Sequence, residues 1–117
     1  MKTLFILNDA PYGTERGYNA LRLALALQMK DLSAEITVFL MADAVAAARG
    51  AQKTPEGYYN VEHMLRRLLA GRGELLLCSS CMDARGLTDA ELLEGAKRST
   101  MDELATATIE ADRVLVF

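Results

Sequence analysis

Leu75-Leu76-Leu77-Cys78-Ser79-Ser80-Cys81-Met82-Asp83-Ala84-Arg85-Gly86 changes character at Cys78. Before that point stands a short apolar run, Leu75–Cys78, which reads as a buried strand. After it comes a polar, cysteine-bearing loop that closes on Gly86. The same alternation runs outward through the chain. Leu4–Leu7 is another apolar run, ended by the turn-rich Asn8-Asp9-Ala10-Pro11-Tyr12-Gly13. Ile36–Met41 is a strand rich in Ile, Val and Phe, and Val114–Phe117 is the last one.

Helical spacing fills the intervals. From about Glu15 to Leu32, Leu21, Ala24, Leu25, Met29 and Leu32 mark one face, and Leu23, Ala26 and Leu27 mark a second. A helix apolar on so much of its surface is expected to be buried on more than one side, the second against another subunit. Asp43 is expected to cap a short Ala-rich helix that stops at Gly50. Val61, Met64, Leu65, Leu68 and Leu69 fit a helix ended by Gly71. Thr88 with Glu91, and Thr100 with Glu103, read as capping boxes for two more helices, with Lys97-Arg98 in a short edge strand between them. Met101, Leu104, Ala105, Thr108 and Ile109 line the final helix.

Strands that alternate with helices predict βαβ units. The expected fold is α/β, a three-layer α/β/α arrangement around a mostly parallel sheet of about five strands, with helices on both faces. No repeat, low-complexity tract or linker divides residues 1–117, which read as a single domain. A hydrophobic fraction of 51% supplies a core without metal or disulfide staples.

Charge narrows the partners. The formal net charge of −3 argues against a nucleic-acid binder and against docking on an anionic membrane. No apolar stretch reaches the ~20 residues of a membrane span. Met1 to Leu7 lacks the h-region and cleavage site of a signal peptide, so the expected location is cytoplasmic. Two cysteines in a reducing compartment are not expected to form a structural staple.

In a parallel sheet, ligands bind outside the carboxyl ends of the strands. The loops after the first three strands should therefore share a rim with Cys78. Asn8, Tyr12 and Gly13 shape that rim from the first loop. The first loop lacks the Gly-Lys-Ser/Thr ending of a phosphate loop, so no nucleotide cofactor is expected. The long loop holding Gln52, Lys53, Tyr58 and Tyr59 can cover the cysteines or meet a neighbouring subunit.

The cysteine pair itself admits several readings. Two thiols at this spacing can cycle through a disulfide. They can be half of a metal site, but a structural zinc needs four ligands and His63 is the one histidine. His63 shares its side of the helix with Arg66 and Arg67, so it reads as a surface residue and no metal is expected. Cys78 can instead be a nucleophile, given a cation or helix N-terminus to favour the thiolate. Arg85 and the helix expected to begin near Thr88 are the candidate sources. Asp83 can pair with Arg85, and Gly86 lets the chain turn after it. Cys78 can also be no more than a small apolar residue at a strand end.

The whole chain resembles the DsrE/DsrF-like family of small sulfur-relay proteins, and within it a subgroup with a C-x-x-C-x-D-x-R-G loop. The likeness runs through Asn8 to Gly13, Leu21-Arg22-Leu23-Ala24, Phe39 to Val45, Gln52-Lys53, Glu56-Gly57-Tyr58, Cys78 to Gly86 and Ala111 to Phe117. In sulfurtransferase subunits of this family the sulfur-carrying cysteine lies seven residues before an Arg-Gly pair, as Cys78 does before Arg85-Gly86. The resemblance thus implies a sulfurtransferase-like carrier in which Cys78 accepts and passes on a persulfide sulfur, assisted by Arg85. Cys81 departs from the plain pattern; it can resolve the persulfide, tune it or form a redox switch. The resemblance also implies a homotrimer or homohexamer working with sulfur donor and acceptor proteins. The alternative is a non-enzymatic oligomeric interaction or redox-sensing module built on the Cys78/Cys81 pair.

Overall fold

The computed structural model describes residues 1–117. Five strands, β1 (Lys2–Leu7), β2 (Glu35–Leu40), β3 (Glu74–Cys78), β4 (Ala96–Ser99) and β5 (Arg113–Val116), form one sheet in the order β4-β3-β2-β1-β5. Every pairing is parallel. The helices are α1 (Arg16–Lys30), α2 (Val61–Ala70), α3 (Ser79–Ala84) and α4 (Met101–Glu110). The expected α/β fold with helices on both faces is the one observed.

The two faces are unequal. Strand side chains alternate between faces, so Phe5, Leu7, Val38, Leu40, Leu75 and Leu77 project together. They meet Ala20, Leu21, Ala24 and Leu25 of α1 and Val61, Leu65 and Leu68 of α2 in a core of 21 buried residues. On the other face Leu4, Phe39 and Leu76 form a cluster of just four buried residues with Leu104 of α4, flanked by half-buried Ala107 and Ala111. Val114 and Val116 are in register with Leu4 and Ile6, and both stay exposed.

Several expected details differ. The stripe of α1 ends early. The Asp31 carboxylate accepts hydrogen bonds from the Ser33 amide at 3.0 Å and its hydroxyl at 2.7 Å. This local turn competes with another helical turn and leaves Leu32 beyond the helix and exposed; Met29, still within α1, is exposed as well. Along α4 only Leu104 is buried; Met101 and Ile109 face outward because one ten-residue helix lies over that face of the sheet. Ala42–Ala48 is a 3-10 helix whose first cap is Met41, and Asp43 turns away to Arg85 instead of capping it. Thr88 and Glu91 do form a reciprocal pair, but it opens only the short 3-10 turn Asp89–Glu91. Lys97-Arg98 lies in edge strand β4, as expected. Thr100 caps α4, accepting the Glu103 amide at 3.1 Å.

The largest difference concerns the cysteines. The stretch after Cys78 is not a loop but helix α3. Gly86 ends it in the left-handed region, at φ +64°. The Leu87 amide donates to the Met82 carbonyl at 3.0 Å and the Gly86 amide to that of Asp83 at 3.1 Å, the paired bonds of a Schellman ending. Met82 and Leu87, both buried, clamp the turn.

Leu104→Ala should lower unfolding stability by about 2–5 kcal/mol. Ile109→Ala should change it by less than about 0.5 kcal/mol. Urea denaturation at low protein concentration checks both, and equal losses would mean that α4 is seated differently.

Candidate functional site

Three strand ends build the site: the carboxyl ends of β2, β3 and β4. Cys78 closes β3 and is also the N-cap of α3. Its sulfur accepts the Cys81 amide at 3.3 Å, as a serine or aspartate oxygen would at a more usual cap. The Ser80 hydroxyl lies 3.4 Å from the same sulfur. Both cysteines are free and half-buried.

These contacts divide the two thiols electrically. Burial pushes the Cys78 thiol up, but hydrogen bonds from the Cys81 thiol, the Ser80 hydroxyl and the amides of Cys81 and Ser80 outweigh it, and its pKa falls below the ordinary range. Cys81 moves the opposite way. Burial raises it, and so does holding its proton toward Cys78, against the opposing pull of the Ala42 amide and the Arg85 charge. Cys78 is therefore the better thiolate of the pair and Cys81 the proton donor.

Arg85 sits otherwise than the sequence suggested. Its Nε donates to Asp43 Oδ1 at 2.9 Å and its guanidinium to the Cys81 carbonyl at 3.0 Å. It binds the β2 end to α3 and faces Cys81, while the donors on Cys78 belong to α3 itself. The helix near Cys78 is thus α3, not one beginning at Thr88. Asp83 pairs with Arg98 at 3.1 Å, not with Arg85. Arg98 reaches from β4 to the Ser79 carbonyl at 3.2 Å, the Ser79 hydroxyl at 2.8 Å and Asp89. It pins the first turn of α3 against the sheet edge. Sequence reasoning assigned Arg98 only to an edge strand, because its partners lie up to 19 residues away.

Ser99 was also missed. It is in register with Cys78 across β3 and β4, and its hydroxyl is buried with no partner. Its only sequence signal is a place one residue before the α4 cap.

The remaining rim residues find other partners than the cysteines. Asn8 holds the chain end, its amide donating to the Phe117 carbonyl at 3.1 Å. Gly13 turns the first loop at φ +104°. Tyr12 donates to Gln52 Oε1 at 2.6 Å, and Gln52 in turn donates to the carbonyls of Ala47 and Arg49 and, by its amide, to buried Glu62. Tyr58 stacks on Tyr59 at 4.5 Å, and Tyr59 on Tyr18 at 4.1 Å. No hydrogen bond or ring contact joins this cluster to Cys78 or Cys81. His63 is exposed, as expected. The hollow of about 510 Å³ between α1 and α2 lies among Leu25, Met29 and Arg67, away from the thiols.

Residues 1–117 match the model of the DsrE/DsrF-like family in full. The chain belongs to the DsrE/DsrF-like family. Among its relatives is protein YchN of Escherichia coli K12, 42% identical over 116 residues that cover 99% of this chain and 98% of YchN. MJ0989 of Methanocaldococcus jannaschii is 36% identical over the full length of both chains. The crystal structure of E. coli YchN superposes with a TM-score of 0.95, covering 100% of this chain and 99% of its own. MTH1491 of Methanobacterium thermoautotrophicum shares the fold at a TM-score of 0.82 with 16% identity, covering 99% and 98% of the two chains. The five-stranded parallel sheet with its covering helices is thus the DsrE-like fold. No helix in it is long and apolar enough to cross a membrane.

The thiol assignment has a direct chemical check. A lowered pKa leaves more thiolate at neutral pH, so iodoacetamide should alkylate Cys78 before Cys81. Ser80→Ala removes one donor from the sulfur, raises the Cys78 pKa and should slow its alkylation at pH 7 about threefold. Peptide mass mapping over a pH series reads both; an unchanged rate would remove Ser80 from the site.

Proposed function

We propose that this chain is a sulfur carrier of the DsrE/DsrF-like family, in the subgroup with the C-x-x-C-x-D-x-R-G pattern, and that Cys78 holds the sulfur. The observation that carries this reading is the position of Cys78: a half-buried thiol at the carboxyl end of a parallel strand, capping a helix through its sulfur. Amide donors aimed at the sulfur favour a thiolate, the form that attacks.

The Cys78 thiolate attacks the outer sulfur of a donor persulfide. A bond forms between the two sulfurs, the donor's own S–S bond breaks, and the donor leaves as a thiolate. An acceptor thiolate later attacks the outer sulfur on Cys78, and Cys78 leaves as the thiolate it began as. No net oxidation occurs. The amides of α3 that hold the anionic sulfur serve both steps, and Arg85 holds Cys81 and the β2 end in place. The orphan Ser99 hydroxyl, on the same face of the sheet as Cys78, is a hydrogen-bond donor in reserve for an added sulfur.

Self-association belongs to this proposal. Met29, Leu32, Ile109 and Val116 are exposed apolar side chains that self-association would cover. A homotrimer or homohexamer in the cytoplasm, receiving sulfur from a donor protein and passing it to an acceptor, fits these surfaces. The same surfaces also suit the second reading, an oligomeric redox module in which the thiol pair carries no sulfur.

Intact mass decides between them. Reduced protein mixed with a low-molecular-weight persulfide should gain one sulfur. The gain should vanish in Cys78→Ser and remain in Cys81→Ser. A wild-type protein that takes up no sulfur would overturn the carrier reading in favour of the redox module.

A further inference from the structure

We propose that Cys81 is a resolving thiol that discharges the Cys78 persulfide as hydrosulfide, so that the site can reduce sulfane sulfur as well as relay it. This rests on the carrier reading and gives the second cysteine a defined step.

The geometry carries the case. Cys78 is the cap and Cys81 the third residue of α3, and the Cys81 amide already touches the Cys78 sulfur at 3.3 Å. The Ser80 hydroxyl lies 3.4 Å from the same sulfur, so the Cys78 thiol already faces the first turn that carries Cys81. The Cys78 sulfur and the Cys81 backbone are thus already in contact across a single turn, and a disulfide needs the two Cβ atoms about 3.5–4.5 Å apart. Neither thiol is sealed in the core, so a leaving sulfide has a path out. The first turn of α3 is also held at its flanks, by Arg98 on Ser79 and by Arg85 on the Cys81 carbonyl. The pair therefore stays aligned while the chemistry changes.

The step balances without an added oxidant. Cys81 passes its proton to the carried sulfur and, as the resulting thiolate, attacks the Cys78 sulfur. A Cys78–Cys81 bond forms, the bond to the carried sulfur breaks, and that sulfur leaves as hydrosulfide. The two cysteines give up two electrons and the sulfane sulfur takes them. A dithiol reductant then opens the disulfide and restores both thiols. Whether the sulfur is passed on or released becomes a contest between an acceptor thiolate at the outer sulfur and Cys81 at the inner one.

Capping and resolution both use the cysteine pair, but they part company in Cys81→Ser. A serine at that position keeps the backbone amide on Cys78 and a hydroxyl beside it, and removes the second nucleophile. The variant should still take up one sulfur, even if more slowly, and should then hold it.

The test is a single turnover. Reduced wild type, Cys81→Ser and Cys81→Ala are loaded with glutathione persulfide and desalted quickly, with no reductant present. Intact mass and free sulfide are then followed over time at two protein concentrations. In wild type the one-sulfur adduct should decay to a species lighter than reduced protein by two hydrogens, with one equivalent of sulfide, at a rate independent of concentration. In both variants the adduct should last at least about tenfold longer. A wild-type adduct as durable as the variants' overturns the resolving role and leaves the carrier reading standing. Decay that speeds up with protein concentration, or equal sulfide release from the variants, overturns it too. Adduct in none of the proteins overturns the carrier reading and this inference together.

Discussion

The hydrogen bond from the Cys81 amide to the Cys78 sulfur ties the sheet to the chemistry. It satisfies an amide that the first turn of α3 would otherwise leave without a partner. It also sets the thiol at the strand end under the positive end of a local array of N–H groups. Through that bond Cys78 has two duties, one structural and one chemical. The structural duty keeps the sulfur where the chemical one needs it. The rest of the site is arranged to preserve that turn: Arg98 braces it from β4, Arg85 from the β2 end, and the Schellman ending at Gly86 stops the helix before it can run on.

The paired thiols are made unequal by their surroundings rather than by their identity. Each loses water on burial. Cys78 recovers more than it loses, because several donors converge on it. Cys81 spends its own proton on Cys78 and meets a developing negative charge there. Such a division keeps one sulfur ready to attack and the other protonated in reserve.

Around this site the protomer is lopsided. One face of the sheet is sealed by two helices and a continuous core, while the other carries a single short helix on a four-residue cluster. The tyrosine and Gln52 cluster belongs to the sealed side. There Gln52 links the first loop, the 3-10 helix and α2 by pairing Tyr12, two backbone carbonyls and buried Glu62. These residues stabilise the frame through contacts with one another, and none of their hydrogen bonds or ring contacts goes to the thiols.

The order of apolar runs and helical periods was enough to establish a parallel α/β sheet. Burial of strands such as Leu75–Leu77 demands covering helices, and that demand is local in sequence. The Cys78-to-Gly86 stretch marked the site for the same reason: nucleophile, cation and turn glycine lie within nine positions. Its conformation was not legible. Cys-Ser-Ser-Cys has no strong helical preference of its own, and the cap, the Arg98 brace and the buried Met82–Leu87 clamp that make it helical all depend on neighbours brought close by folding. Side-chain partners followed the same rule. Asp83 goes to Arg98 and Arg85 to Asp43, pairings across 15 and 42 residues that no spacing announces. Sequence alone determined the alternation of strands and helices in the sheet and which thiol stands at the strand end. Tertiary structure decided which groups reach that thiol, because hydrogen bonds and charge act over a few ångströms of space whatever the separation along the chain.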